Sequence, residues 1–287
     1  MPVDMSVSRW TRDVAVTQWN RDDGALAAIG NGLPPTIAGE RALGEVHRLD
    51  LSLFVVFEEV ALRVSGALAR SAPSLDALAF AAQQTLDEAR HHEMFARRLA
   101  LSTEAWGTRA SGDDILIPPL RKFIDLCYEV ADRGAFVDGL VLTNLVLEGM
   151  AYPLYGYEQR YWQPVDPYLA RLIASAFADE TRHVAFGAAL VGKALADDPG
   201  ARARVQRLTH DARQVMREVF EYYVRKFVRL FDAVARRHGG LFADAEFEPG
   251  RRLADTPYED QIASIRHRIE TEHARLLGRA GLDTCAG

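Results

Sequence analysis

Two copies of the motif Asp-Glu-x-Arg-His have the residue types and the spacing that best suit chemistry in this sequence. The copies occupy positions 87–91 and 179–183. Residues three apart are neighbours on one face of a helix, so the Glu and the His of each copy can direct an oxygen and a nitrogen at one point. These pairs are Glu88 with His91 and Glu180 with His183. Two such helices predict a site for two metal ions.

Two further glutamates lie where the remaining carboxylates of such a site are needed. Glu148 precedes the second motif and Glu58 precedes the first, each by about 30 residues, which is the length of one helical hairpin with two arms of about 14 residues. A four-helix bundle brings one carboxylate from each of two helices to the two Glu-x-x-His pairs. The predicted metal ligands are Glu58, Glu88, His91, Glu148, Glu180 and His183.

The choice between the adjacent residues Glu58 and Glu59 depends on the phase of the helix. The face that contains Glu58 is largely apolar and includes Phe54 and Ala61. Glu59 lies on a more polar face and can form an i,i+4 pair with Arg63. The periodicity therefore favours Glu58 as the ligand and Glu59 as a surface residue, with the reverse assignment as the alternative.

These motifs resemble those of the ferritin-like di-iron carboxylate proteins that activate oxygen, and the resemblance covers roughly residues 40–196. That group includes the multicomponent monooxygenase hydroxylases, the ribonucleotide reductase small subunits, the acyl carrier protein desaturases and the p-aminobenzoate N-oxygenases. The resemblance implies two iron ions, with a manganese–iron pair as the alternative, bridged by two of the carboxylates. It also implies O2 as a co-substrate.

The resemblance further implies roles for the other charged residues of the two motifs. Each Asp is expected to accept a hydrogen bond from the metal-binding histidine of the opposite hairpin. The implied pairs are Asp87 with His183 and Asp179 with His91. Arg90 and Arg182 would then neutralise these buried carboxylates. The alternative is that all four are ordinary ions on helix surfaces, but their repetition in both copies favours the buried role.

Side chains one helical turn from the ligands are expected to shape the oxygen and substrate pocket. Tyr152 follows Glu148 by one turn, and a phenol there could donate a hydrogen bond to bound oxygen, so Tyr152 is the candidate catalytic residue. The other predicted pocket residues are Phe95, Leu62, Gly187 and Ala176. The alternative for these residues is a place in the packed core, with the tyrosine hydroxyl satisfied at its edge.

Two of these positions depart from particular members of the group. The p-aminobenzoate N-oxygenases have an extra histidine one turn before the second Glu-x-x-His, where this sequence has Ala176. The ribonucleotide reductase small subunits often have a radical-forming tyrosine one turn after the first ligand histidine, where this sequence has Phe95. These departures weaken the specific interpretations of N-oxygenation and radical generation.

The composition argues against several classes of protein. Of 287 residues, 48% are apolar and 26% are charged, as in ordinary globular proteins. The net charge of −6 argues against a nucleic-acid-binding surface. The N-terminal segment lacks the apolar core of a signal peptide, and no apolar run approaches the length of a membrane span. Cys127 and Cys285 are too far apart to form a metal-type pair, and we expect a cytoplasmic protein.

The hydrophobic spacing predicts an all-α protein, and the family resemblance implies one ferritin-like domain over residues 1–287. Its expected parts are an N-terminal wrap over 1–37, a four-helix core bundle over about 38–196, and appended C-terminal helices over 201–280. The predicted helices span about 38–70, 75–101, 118–132, 135–160, 167–196, 201–237 and 256–279. Asp166 and Thr256 are expected N-caps, Pro153 is expected to kink its helix, and no segment alternates like a strand.

The predicted function is that of a non-haem di-iron oxygenase that hydroxylates or N-oxygenates a small or carrier-bound organic substrate. The alternatives are a desaturase, a radical-generating or ligand-binding oxidase, and a ferroxidase or iron storage protein. Because the sequence has no cysteine redox pair and no flavin or nicotinamide motif, an external electron donor such as a ferredoxin with its reductase is expected. Neither nucleic acid nor membrane is expected as a partner, and a homodimer is possible.

Overall fold

The structure is a computed structural model that describes residues 32–106 and 115–283. Its α-helices are α1 (Pro35–Gly39), α2 (Arg41–Ser71), α3 (Leu75–Trp106), α4 (Pro118–Asp132), α5 (Phe136–Leu140), α6 (Glu148–Trp162), α7 (Pro167–Asp197), α8 (Arg202–Arg237) and α9 (Tyr258–Arg279). A π-helical segment, Val141–Leu147, joins α5 to α6, and a 3₁₀ turn, Pro199–Ala201, precedes α8. The predicted all-α class is confirmed, while most of the predicted N-terminal wrap lies outside the described residues.

Local sequence signals explain several of the helix boundaries. Asp166 caps α7, since its carboxylate accepts a hydrogen bond from the Leu169 amide at 3.1 Å. Thr256 does not cap α9, so that prediction was wrong. Its hydroxyl instead donates to the Arg252 carbonyl at 2.8 Å, and Pro257 precedes the first residue of α9.

Helix α3 continues beyond the predicted end at residue 101 and reaches Trp106. The extra turn is held by tertiary contacts, because the Trp106 indole donates a hydrogen bond to the Ile37 carbonyl at 3.0 Å. The same ring packs against Gly44, where a Cβ would lie 2.4 Å from the indole nitrogen. A side chain at position 44 would therefore displace the ring that ties α3 to α1.

The predicted helix over 135–160 is divided by the π-helical segment that ends immediately before Glu148. Pro153 lies inside α6, so the irregular backbone lies upstream of Glu148 rather than downstream as predicted. π-Helical turns are rare and often occur at functional sites. The segment changes the helical phase between residues on either side of it, which sequence spacing alone could not show.

A short antiparallel hairpin lies between α8 and α9, whereas the sequence predicted no strand. Its strands are β1 (Glu246–Glu248) and β2 (Arg251–Arg252), and Glu246 pairs with Arg252. The turn between them includes Gly250, whose φ of +77° lies in the left-handed region that glycine adopts without strain. Strands of two and three residues are too short to show alternation.

Helices α2 and α3 form one long hairpin, and α6 and α7 form the other. The appended helices do not extend away from this four-helix core. Helix α8 packs against α2, α4 and the π-helical segment, and α9 packs against α6 and α7. They therefore cover the side of the bundle formed by α2 and α6. None of the helices in the described parts of the chain has both the length and the apolarity that a membrane crossing requires.

Candidate metal centre

The six predicted ligands meet in the interior of the four-helix core. Two overlapping groups have donor atoms that lie within 4.8 Å of one another. The groups are Glu58, Glu88, His91 and Glu180, and Glu88, Glu148, Glu180 and His183. All six residues are at most 5% exposed. Helices α2, α3, α6 and α7 each supply one carboxylate, and α3 and α7 add the two histidines.

Glu88 and Glu180 belong to both groups and lie between the two histidines. One oxygen of Glu88 is 3.4 Å from Nδ1 of His91, and the other is 3.1 Å from Nδ1 of His183. The two oxygens of Glu180 lie 3.5 and 3.4 Å from the same two nitrogens. Each of these carboxylates thus directs one oxygen at each group, which is the arrangement of a carboxylate that bridges two metal ions.

The donor atoms at this centre fit a pair of metal ions. Both Glu88 oxygens, one Glu180 oxygen and Nδ1 of each histidine are buried without a hydrogen-bond partner in the described structure. Unpaired polar atoms are costly in a protein interior, and a bound cation would satisfy all of them. Four carboxylates balance the charge of two divalent ions. Oxygen and imidazole ligands suit iron and manganese.

Glu58 and Glu59 lie in clearly different surroundings. Glu58 is 4% exposed, and its carboxylate lies 3.4 Å from Nδ1 of His91. The Glu59 side chain is 44% exposed and accepts hydrogen bonds from the Arg63 guanidinium at 2.7 and 2.9 Å. The helix therefore turns Glu58 towards the centre and Glu59 towards the surface.

Each histidine contacts an aspartate from the opposite hairpin through its other ring nitrogen. Nε2 of His91 is 3.1 Å from Asp179, and Nε2 of His183 is 3.1 Å from Asp87. These contacts orient both rings so that Nδ1 points into the centre. Histidine ligands in metal sites usually have such a carboxylate partner, which fixes the tautomer and the ring position.

Arg90 and Arg182 lie over these aspartates and are only partly exposed, at 16% and 19% of their side chains. Arg90 donates to Asp87 at 3.1 Å and also to Asp179, and Arg182 donates to Asp179. Burial alone would raise the pKa of Asp179, but His91 and the two guanidinium groups hold that pKa well below its usual range. These four residues form a buried charge network rather than a set of surface ions.

Gln84 and Asn144 also contact the centre, and sequence reasoning missed them. Both are at most 1% exposed. The Gln84 amide donates to one oxygen of Glu148 at 2.6 Å, and the Asn144 amide lies 3.0 Å from the other. Each lies four residues before a ligand, Gln84 before Glu88 and Asn144 before Glu148, so i−4 spacing was a signal that could have found them.

The amide contacts make the two non-bridging carboxylates different. Both oxygens of Glu148 accept amide hydrogen bonds, whereas in the described structure Glu58 has no amide donor. Burial, followed by the neighbouring carboxylates Glu180 and Glu88, raises the pKa of Glu148 well above its usual range. The amides therefore fix the position of a carboxylate whose charge the protein alone does not neutralise.

A first prediction concerns Gln84. We expect Gln84→Leu to weaken binding of one of two metal ions by about 10- to 100-fold, the usual cost of removing such a partner. Calorimetric titration of the metal-free protein with Mn2+ measures the affinity for each metal ion. Gln214→Leu, at an exposed position of α8, is the matched control and should bind like the unaltered protein. Equal affinities in Gln84→Leu and the control would contradict a role for the amide.

A cavity adjoins the centre on the side covered by α8 and α9. It reaches Glu58, Glu88, Glu148 and Glu180 at one end. Its walls are mainly apolar, and they include Leu53, Phe57, Ala151, Leu154, Phe220 and Val224. The appended helices thus complete a chamber that the four-helix core leaves open.

The residues predicted to shape the pocket are not among those that line this cavity. Phe95 is fully buried and stacks on Phe54 with 4.3 Å between ring centroids. Ala176 lies in the packed core, and Leu62 is partly exposed. Gly187 leaves space for Asn144, since a Cβ at position 187 would lie only 2.4 Å from the Cβ of Asn144. The cavity lies towards α2, α6 and α8, away from Phe95, Ala176 and Gly187 on α3 and α7, and Leu62 lies on α2 but not in the cavity lining.

Tyr152 also lies away from the cavity, and Tyr155 takes the place predicted for it. Tyr152 packs on Phe177 with 4.7 Å between ring centroids. Tyr155 is 7% exposed and lines the cavity. Burial, followed by the nearby carboxylates Glu180 and Glu58, raises the pKa of the Tyr155 phenol well above its usual range, so it stays a proton donor. It lies seven residues after Glu148, two turns along the same face.

No protein-family model matches the sequence, and no curated protein matches it. Solved structures do match. An R2-like ligand-binding oxidase with an aerobically reconstituted metal cofactor after photoconversion has a TM-score of 0.60 and 17% identity, over 94% of this chain and 95% of that chain. A variant of such an oxidase with an anaerobically reconstituted Mn/Fe cofactor has a TM-score of 0.59 and 18% identity over the same shares.

A protein from Synechococcus with aldehyde deformylating oxidase activity also matches, with a TM-score of 0.50 and 18% identity, over 84% of this chain and 99% of that chain. At these identities the likeness is one of fold. It extends well beyond residues 40–196 and includes the appended helices. The chain therefore has the ferritin-like helical fold that is found in di-metal carboxylate oxidases.

Proposed function

We propose that this protein is an O2-dependent oxidoreductase with a non-haem pair of metal ions, either two iron ions or manganese with iron. Its substrate is an organic molecule held in the cavity beside the metal centre. The observation that carries the proposal is that two carboxylates shared between two histidines lie at the end of a mainly apolar cavity. The likeness in fold to oxidases with Mn/Fe cofactors supports it.

In this proposal the ligands divide between two metal ions. Glu58 and His91 would bind one ion, Glu148 and His183 would bind the other, and Glu88 and Glu180 would bridge them. The bound metals supply the reduction of O2, which amino-acid side chains cannot perform. The protein orients both imidazoles, keeps the centre buried and places the substrate. Tyr155, whose ring lines the cavity, would donate a hydrogen bond to a molecule bound beside the centre.

The apolar walls favour oxidation of an organic substrate over iron storage. A ferroxidase needs a polar path for hydrated iron, whereas this cavity is lined mainly by aliphatic and aromatic side chains. The reaction would be hydroxylation or N-oxygenation of this substrate, and desaturation is the alternative reaction at the same centre. The ligand-binding oxidases of this fold support a further candidate, in which an organic molecule is bound beside the metals and oxidised without release. Electrons would come from a separate protein, such as a ferredoxin with its reductase.

The test is O2 consumption by protein that has been loaded with iron and chemically reduced without oxygen. We expect the rate of O2 consumption to depend on an added organic compound, with one oxidised product formed per O2 consumed. The rate of O2 consumption is measured separately with pools of amines, alcohols and carboxylic acids that have the same chain length. Continuous oxidation of added Fe2+, with no dependence on any organic compound, would instead identify a ferroxidase and overturn the proposal.

A second prediction separates the two tyrosines. We expect Tyr155→Phe to lower substrate-dependent O2 consumption by at least about 10-fold, because general acid groups contribute 100-fold or more in many enzymes. Tyr152→Phe should stay within about twofold, since its ring packs on Phe177 away from the cavity. Both variants should keep their metal. A larger loss in Tyr152→Phe than in Tyr155→Phe would restore the assignment made from sequence spacing.

A further inference from the structure

The cavity has a second pair of carboxylates at the end far from the metal centre. Asp50 lies two turns before Glu58 on α2, and Glu158 lies nearly three turns after Glu148 on α6, and all four line the cavity. At about 1.5 Å per helical residue, the far pair is roughly 12 to 15 Å from the metal-binding carboxylates. The cavity therefore spans two acidic ends with apolar walls between them.

Within the described residues, the far carboxylates lack a cationic partner. Asp50 is only 2% exposed, and one of its oxygens accepts a hydrogen bond from the Trp162 indole at 2.5 Å. Its other oxygen has no donor among residues 32–106 and 115–283. Glu158 has neither a hydrogen bond nor an ion pair within the same ranges. The described residues that line the cavity include no Arg, Lys or His.

The other polar groups at this end are also acceptors. The Tyr157 hydroxyl donates its proton to Glu248 at 2.6 Å, and the Tyr161 hydroxyl donates to Gln261. Their oxygens can therefore only accept a hydrogen bond from a ligand. The lining residues here belong to helices, whose backbone amides already bond within the helix. Among the described residues, the buried Asp50 and the partly buried Glu158 thus line this end with two phenolic oxygens and without a basic side chain.

The carboxyl groups of Asp50 and Glu158 favour a positively charged ligand at this end of the cavity. Burial raises the pKa of Asp50 to about 7, and burial together with Asp50 raises that of Glu158 well above its usual range. An ammonium or guanidinium group would supply the missing donors and balance this charge. A cation beside these groups would favour their charged form and pair with it, whereas a carboxylate or phosphate group would disfavour that form and gain no ion pair. The aromatic rings of Tyr161 and Phe227 line the same end and can interact with a cation.

We propose that Asp50 and Glu158 bind the positively charged, hydrogen-bond-donating end of the substrate, which makes an amine or a guanidine the substrate class. The rest of the molecule lies along the apolar walls and presents a carbon or nitrogen atom to the metal centre. An extended chain advances about 1.2 Å per bond, so roughly 10 to 12 bonds cover the distance between the two acidic ends. The binding of the cation stands independently of the chemistry, but its role as a substrate rests on the proposed function.

Calorimetry on the iron-loaded protein without oxygen tests the charge preference. The probes are n-octylamine, 1-octanol and octanoate, which share one chain length and differ in their polar end. We expect the amine to bind at least about 10-fold more tightly than the alcohol, since hydrogen bonds to charged groups are stronger than neutral ones. Octanoate should bind more weakly than the alcohol. Octanoate binding as tightly as the amine would overturn the proposal.

Two nearly isosteric variants test whether Asp50 and Glu158 cause the preference for the amine over the alcohol. Asp50→Asn and Glu158→Gln remove charge and change little else, and each should remove most of the preference for the amine while leaving 1-octanol affinity within about threefold. The retained alcohol affinity shows that the cavity still folds. Glu129→Gln, at an exposed position of α4, is the control and should keep the preference. Amine affinity that is unchanged in both variants would contradict the assignment.

The O2 assay separates this inference from the proposed function. If amines bind through Asp50 and Glu158 but no amine stimulates O2 consumption, the cation site stands and the proposed oxidation of its ligand fails. If alcohols or acids stimulate O2 consumption and amines neither bind nor react, the oxidase stands and the cation site is wrong.

Discussion

Replacing His183 with alanine should leave the protein with no more than one of two metal ions, and replacing Glu180 should remove at least one. Loading without oxygen should give about two iron ions per unaltered chain, by the number of ligands. His183 supplies the sole imidazole of its group, and Glu180 faces both groups. Loss of the ion pair should abolish substrate-dependent O2 consumption. The measurement is metal content per chain after removal of excess iron, together with the O2 rate.

His92 provides a control of the same residue type on the adjacent position of α3. It follows His91 but is partly exposed, and the helix directs it away from the centre. His92→Ala should therefore keep two iron ions and its O2 rate. Metal-dependent stabilisation adds a second readout, because a ligand that binds only the folded state raises the melting temperature. Two iron ions retained by both His183→Ala and Glu180→Ala would refute the site.

The composition of the centre was readable in the sequence because its geometry follows from helical periodicity. The Glu-x-x-His spacing places Glu88 with His91, and the hairpin length places Glu58 within reach of them. These are short-range rules that hold wherever the helices are regular. The same rules turned Glu59 outward towards Arg63, four residues away, as the structure has it.

The surroundings of the centre were less readable because they depend on tertiary packing. The sequence gives no sign that α8 covers the α2 and α6 side of the bundle, and that packing decides where the cavity lies. The π-helical segment before Glu148 also changes the phase of its helix. Tyr152 and Tyr155 both follow Glu148 within the regular helix α6, so helical counting could not decide between them, whereas the position of the cavity selects Tyr155.

The largest difference between neighbouring residues is expected at Glu58 and Glu59. Glu58→Ala should lower substrate-dependent O2 consumption by more than about 100-fold. Loss of a residue that only contacts a metal ligand costs about 10- to 100-fold, and loss of a ligand itself should cost more. Glu59→Ala should stay within about twofold, because it removes one partly exposed ion pair with Arg63. The measurement is the initial O2 rate of reduced protein with a saturating substrate, normalised to protein concentration.

The melting temperatures of Glu58→Ala and Glu59→Ala, measured without and with metal, distinguish the loss of a metal ligand from a simple folding defect. Burial, opposed in part by His91, raises the pKa of Glu58 well above its usual range, so this carboxylate opposes folding when no metal is bound. Glu58→Ala should therefore unfold at a higher temperature than the unaltered protein when metal-free, yet gain less from added Mn2+. Glu59→Ala should match the unaltered protein in its gain from Mn2+. If Glu59→Ala lost that gain and Glu58→Ala kept it, the helical phase of α2 would be off by one residue, and Glu59 would be the ligand.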